Sequence, residues 1–128
     1  MINDLKNIVV ISPHPDDETL GLGGSIKKFS SSGIKVHILV VSGHLPPLLD
    51  NKNQFLTTKE EAIKAFDKLG VTSFEFLEIP ATYVNKEDIS SLYGKINKFI
   101  KQIDPEVVFL PFPDRHIDHR VIFDSVMV

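Results

Sequence analysis

The sequence predicts an α/β fold: a mostly parallel sheet with helices on both faces. Two observations predict it. Short, continuous apolar runs rich in β-branched residues alternate along the chain with segments of helical periodicity. The runs read as strands buried on both faces, as parallel strands packed between helices are.

The first run covers residues 7–12 (NIVVIS). A helix is predicted over residues 19–31, stopped by the Ser-Ser-Gly33 sequence. The second strand covers 36–41 (VHILVV). Residues 43–58 (GHLPPLLDNKNQFLTT) form the one long loop candidate, because Pro46 and Pro47 exclude a central strand. A helix over 55–69 carries Ala62, Ile63, Ala65, Phe66 and Leu69, with Gly70 at its stop position. The third strand, 74–79 (FEFLEI), alternates polar and apolar residues and is placed nearer a sheet edge. The clearest helix runs over 87–103. Ile89, Leu92, Tyr93, Ile96, Phe99, Ile100 and Ile103 follow the i, i+3, i+4, i+7 template there, and Pro105 ends it. A fourth strand, 107–110 (VVFL), closes at Pro111, and a last helix begins near Ile117. Strand–helix–strand repetition of this kind gives βαβ units in one domain spanning residues 1–128.

Composition excludes several functions. With 14 Lys and Arg against 17 Asp and Glu, the net charge is −3, and no basic run offers phosphate neutralisation, so nucleic acid is not an expected partner. The chain has no cysteine, so any metal must be held by His, Asp or Glu. No apolar stretch approaches the roughly 18 residues of a membrane span, and the first residues lack a signal-peptide layout. A cytoplasmic location is the resulting expectation.

In open parallel sheets, ligands bind outside the carboxyl ends of the strands. Two such ends carry metal-type ligands: Ser12-Pro13-His14-Pro15-Asp16-Asp17-Glu18 after the first strand, and Pro113-Asp114-Arg115-His116-Ile117-Asp118-His119 after the fourth. A parallel sheet brings both to one edge. Two histidines and a carboxylate can hold one divalent ion with positions open for water and substrate, and a further carboxylate can take a proton from that water. Acidic residues ahead of a helix also serve as caps. Two loaded segments at the same edge favour the metal reading.

Gly21, Gly23 and Gly24 do not complete a dinucleotide fingerprint, because Ile26 stands where its last glycine belongs. They are read as permitting close helix–sheet packing. His37, inside a strand, is read as structural, and His44 as a residue that could line a pocket.

The segment Pro13-His14-Pro15-Asp16-Asp17-Glu18, followed by Gly21 and Gly23-Gly24, resembles the signature of the PIG-L/LmbE-like zinc deacetylases. His116-Ile117-Asp118-His119 resembles that family's second motif, and residues 61–71 and 104–108 are similar to segments between them. The resemblance implies a three-layer α/β/α sandwich with a mostly parallel, Rossmann-like sheet. It also implies removal of an N-acetyl group from an N-acetylglucosamine-type conjugate, a small-molecule partner. His14, Asp17 and His119 would bind Zn²⁺, and Asp16 would be the general base. His116 would stabilise the oxyanion and later protonate the amine. Asp118 would orient a neighbouring histidine.

The sequence departs from the family at Ser42, His44 and Thr57-Thr58-Lys59, positions where members carry other residues near the substrate. Members are also longer, so the chain is expected to be the N-terminal portion of the domain, truncated after the second motif. Val121, Ile122, Phe123, Val126 and Met127 would then lack cover, and self-association into a homo-oligomer is expected. Two competing readings remain. One is a metal- or sugar-binding module without turnover. The other is a non-haem Fe(II) oxygenase using His14, Asp16 and His119.

Overall fold

A computed structural model describes residues 5–15, 17–86, 88–111 and 117–127, with only the backbone path for 17–22. Strands β1 (Asn7–Ser12), β2 (Lys35–Gly43), β3 (Ser73–Pro80) and β4 (Val107–Phe109) form one sheet in the order β3-β2-β1-β4. Every pairing is parallel, with Ile8 opposite both Val36 of β2 and Val107 of β4. Helices α1 (Asp17–Ser31), α2 (Asn53–Leu69), α3 (Ile89–Ile103) and α4 (Ile117–Met127) supply the connections and the outer layers.

The apolar runs have side chains on both faces, and each face has its own core. Val9, Ile11, Leu39, Val41 and Ile79 pack against Leu92, Ile96 and Phe99 of α3 and Ile122 of α4. Ile8, Val10, Val36, Ile38 and Val40 pack against Ile26 of α1 and Ala62 and Phe66 of α2. At roughly 1.5–3 kcal/mol per fully buried large apolar side chain, the three from α3 suffice to hold that helix on its face. The result is the three-layer α/β/α arrangement that strand–helix alternation predicts.

Helix boundaries follow local chemistry. Asp88 caps α3 by accepting the Ser91 N–H at 3.1 Å, and Asp104, in a left-handed conformation, closes it ahead of Pro105. Gly70, at φ 75°, closes α2 with its N–H on the carbonyls of Phe66 and Asp67. At the amino ends of the strands, the Glu106 carboxylate accepts the N–H groups of Asn7, at 3.0 Å, and Lys6. Those bonds hold its pKa below the usual carboxylate value. Beside them His37 is buried between Ser73 (Nδ1 to Oγ, 2.6 Å) and Asn7 (Nε2 to Oδ1, 3.0 Å), the structural role expected of it.

Three expectations need correction. The 43–58 loop is shorter, because α2 already begins at Asn53. Phe55 is buried in its first turn, and the Thr57 and Thr58 hydroxyls bond back to the carbonyls of Asn53 and Gln54. A Cβ on Gly24 would meet nothing within 4 Å, so close packing is not what that glycine serves. On α4, Ile122 is fully buried and Val121, Phe123 and Val126 are half-buried. Of the apolar residues expected to lack cover, only Met127 is exposed, at 65%, among the described residues. No helix among the described residues is long and apolar enough to cross a membrane.

Candidate active site

The site forms where β1, β2 and β3 end and α4 begins. Serines close two of the apolar runs there. Ser42, at the end of β2, donates both its backbone N–H (2.9 Å) and its hydroxyl (2.8 Å) to the Pro13 carbonyl. The Ser12 hydroxyl donates to the His14 carbonyl at 2.6 Å. These bonds fold the segment after β1 over the end of β2 and fix the backbone from which His14 projects. β3 is anchored alongside by the Ala81 N–H on the Gly43 carbonyl, at 2.7 Å.

From that backbone the His14 ring reaches Asp118, 104 residues away in sequence, with Nε2 2.9 Å from Oδ2. Asp118 lies in the first turn of α4 and is fully buried. A buried carboxylate is costly unless hydrogen-bonded. Here Oδ2 also accepts the Thr82 N–H at 2.8 Å, and the N-terminal turn of α4 favours negative charge. An ionised Asp118 only accepts, which assigns the His14 proton to Nε2 and would leave Nδ1 as the nitrogen for a metal.

The His119 ring stands beside that of His14, with centroids 5.5 Å apart and planes inclined by 45°. Two imidazoles on one tetrahedral ion, each at about 2.0–2.1 Å, place their centroids on the order of 5 Å apart. The separation of the two rings matches that of two imidazoles on a shared ion. Among the described residues no three His, Asp or Glu side chains group as a metal site. The expected third ligand, Asp17, begins α1, and its side chain lies outside the described residues. Asp16 and His116 also lie outside them. Of the six site residues read from sequence, the structure thus brings together His14, Asp118 and His119.

Next to His14 is a cavity of about 130 Å³, lined also by Pro15, Gly43, His44 and, from α2, Gln54, Phe55 and Thr58. His44, read from sequence either as a pocket residue or as a loop histidine without a role, lines this cavity. Lys59, one residue beyond Thr58, lies over Phe76 at 5.0 Å and pairs with Glu78 at 3.4 Å. A separate, open groove of about 490 Å³ is lined by Leu45, Pro46, Asn51, Lys52, Glu78 and Pro80.

Sequence reasoning missed the supporting residues Ser12, Ser42 and Thr82. Serine closing an apolar strand is a usable signal for the first two. Thr82 acts through a backbone N–H, which leaves no trace in its side chain.

A family model described as GlcNAc-PI de-N-acetylase, PIG-L, matches residues 9–128. Diacetylchitobiose deacetylase of Thermococcus kodakarensis is 32% identical, over 92% of this chain and 46% of that protein. A probable N-acetyl-alpha-D-glucosaminyl L-malate deacetylase of Bacillus cereus is 26% identical, over 95% of this chain and 60% of its own length. Among solved structures, the N,N'-diacetylchitobiose deacetylase of Pyrococcus horikoshii superposes with a TM-score of 0.85 at 27% identity, over 98% of this chain and 49% of that one. The chain spans roughly half of these relatives' length.

Proposed function

The chain belongs to the PIG-L family, and from that membership we propose that it carries the metal-binding and proton-transfer machinery of an amide hydrolase. Its reaction removes the acetyl group from an N-acetylglucosamine-type amino-sugar conjugate, turning amide and water into acetate and amine. The observation that carries this reading is the buried Asp118 holding His14 beside His119 at the carboxyl edge of the sheet.

In this reading His14, Asp17 and His119 hold Zn²⁺. When bound, the ion supplies Lewis-acid polarisation of the acetyl carbonyl and a water acidified to a pKa of about 7. Asp16 takes the proton that the attacking water loses. His116 donates a hydrogen bond to the carbonyl oxygen as negative charge develops on it, and then delivers a proton to the departing amine. Asp118 keeps the His14 ring in one tautomer and one orientation. The cavity beside His14, bounded by His44, Gln54 and Thr58, offers polar groups for sugar hydroxyls.

The test begins with the metal content of chain purified without chelator, by elemental mass spectrometry. About one zinc per chain is expected, followed by acetate release from N,N'-diacetylchitobiose and N-acetylglucosamine that Asp16→Ala abolishes. Zinc binding with no acetate released from either sugar overturns the hydrolase reading in favour of a binding module. Loss of metal in Asp16→Ala but not in Asp17→Ala overturns the ligand set.

A further inference from the structure

Thr82 has a left-handed backbone, at φ 63°. Left-handed residues are uncommon outside glycine, and a β-branched residue there is an outlier held by its surroundings. The surroundings are visible. The Tyr83 N–H closes a turn on the Pro80 carbonyl at 3.0 Å, which puts Thr82 at the third position, where a positive φ calls for glycine or asparagine. The preceding residue, Ala81, is buried and bonded to the Gly43 carbonyl. The Thr82 side chain is exposed, so nothing it buries accounts for the conformation. What the conformation achieves is to aim the Thr82 N–H at Asp118 Oδ2, the same oxygen that receives His14 Nε2.

We infer that the Thr82 backbone amide is a positioning group for the candidate metal site. Through Asp118 it sets the tautomer and orientation of His14, and the strained turn after β3 serves to deliver that amide. The physical ground is that a carboxylate bonded by one donor can still swing about its Cβ–Cγ bond. Two donors converging on one oxygen, from a turn and from a ring, fix the carboxylate plane and the ring together. The metal part of this inference rests on the reading proposed above. The hydrogen-bond part does not, and the two are tested separately.

The experiment replaces the Ala81–Thr82 amide with an ester, by incorporating the α-hydroxy analogue of threonine at position 82. This deletes the N–H and keeps the side chain. Thr82→Gly is made alongside, keeping the N–H and relieving the strain. In metal-free protein labelled with ¹⁵N-histidine, ring spectra of the unaltered chain and of Thr82→Gly are expected to show a single Nε2–H tautomer for His14. The ester is expected to show averaging between tautomers. Zinc affinity, measured by competition with a chromophoric chelator, is expected to fall about 10- to 100-fold in the ester, as for other outer partners of metal ligands, and to stay within threefold in Thr82→Gly. An ester with unaltered His14 signals and zinc affinity overturns the inference, as does a Thr82→Gly variant that weakens zinc as much as the ester. Hydrogen exchange of the Thr82 amide in the unaltered chain gives a check that needs no variant: protection is expected, and exchange at the rate of a free amide overturns the proposal. Failure of the unaltered chain to bind zinc at all counts against the metal reading. The tautomer and exchange results then still decide whether Thr82 positions His14.

Discussion

Gly43 gives the most direct test of how the site is packed. A Cβ built on it falls 2.4 Å from Cδ1 and 2.5 Å from Cε1 of Phe55. Ordinary carbon–carbon contact is about 3.5–4.0 Å, so the ring must retreat by roughly 1 Å or more. It has little room. Phe55 is 1% exposed, its ring meets Phe76 edge-on at 6.3 Å, and Lys59 lies over it at 5.9 Å. Overpacking of this kind costs about 1–3 kcal/mol, against which the stiffer unfolded chain of an alanine variant returns only about 0.4–1 kcal/mol. Gly43→Ala is therefore expected to destabilise by roughly 1–2 kcal/mol, lowering Tm by about 3–10 °C for a chain of this size. Because Gly43 and Phe55 share the cavity wall with His14, ligand binding at the site should weaken as well. Gly24→Ala is the control. With nothing within 4 Å of the added carbon, in the middle of α1, it should raise stability by about 0.5–1 kcal/mol. Thermal and urea unfolding followed by circular dichroism measures both. A Gly43→Ala variant with unchanged or higher Tm would refute the packing argument.

Other perturbations have equally definite outcomes. Asp118→Ala removes the shared acceptor of His14 and Thr82 and should cost about 1–3 kcal/mol in urea unfolding, together with the metal affinity of the chain. Asp88→Ala deletes the N-cap of α3 and should cost about 1 kcal/mol without affecting zinc binding, which a combined denaturation and chelator-competition measurement checks. Burial, and secondarily the charge of Lys35, lowers the pKa of His37 from its ordinary 6.5. The unfolded chain then takes up that proton first on acidification. The stability His37 contributes is full above about pH 6.5 and is lost as pH falls from there through its lower folded value. Unfolding free energy measured between pH 8 and 5 should decline across that window, and His37→Gln should flatten that part of the curve.

Much of the architecture is legible in local pattern. A continuous apolar run such as residues 36–41 needs cover on both faces, so the parallel sheet and its two helical layers follow from periodicity. The polar residues interspersed in 74–79 placed that strand nearer a sheet edge, and β3 is an edge strand of the described sheet. The helix over 55–69 was legible to within two residues of α2, but the packing of Phe55 against Gly43 in its first turn was not, because it joins residues on different elements. The cover on α4 was misjudged for the same reason: burial of Ile122 depends on α3 and the sheet, which the helix's own composition does not reveal.

The site divides along the same line. Residue types and their places at strand ends pointed to the segments 12–18 and 113–119, and the family resemblance singled out His14, Asp118 and His119 within them. Which atom meets which was settled only by the folded chain. His14 and Asp118 are 104 residues apart, and their bond exists because β1 and β4 are neighbours in the sheet. The contribution of Thr82 is further still from anything a sequence displays. Its donor is a backbone N–H common to every residue but proline, and only the left-handed turn after β3 aims it at Asp118.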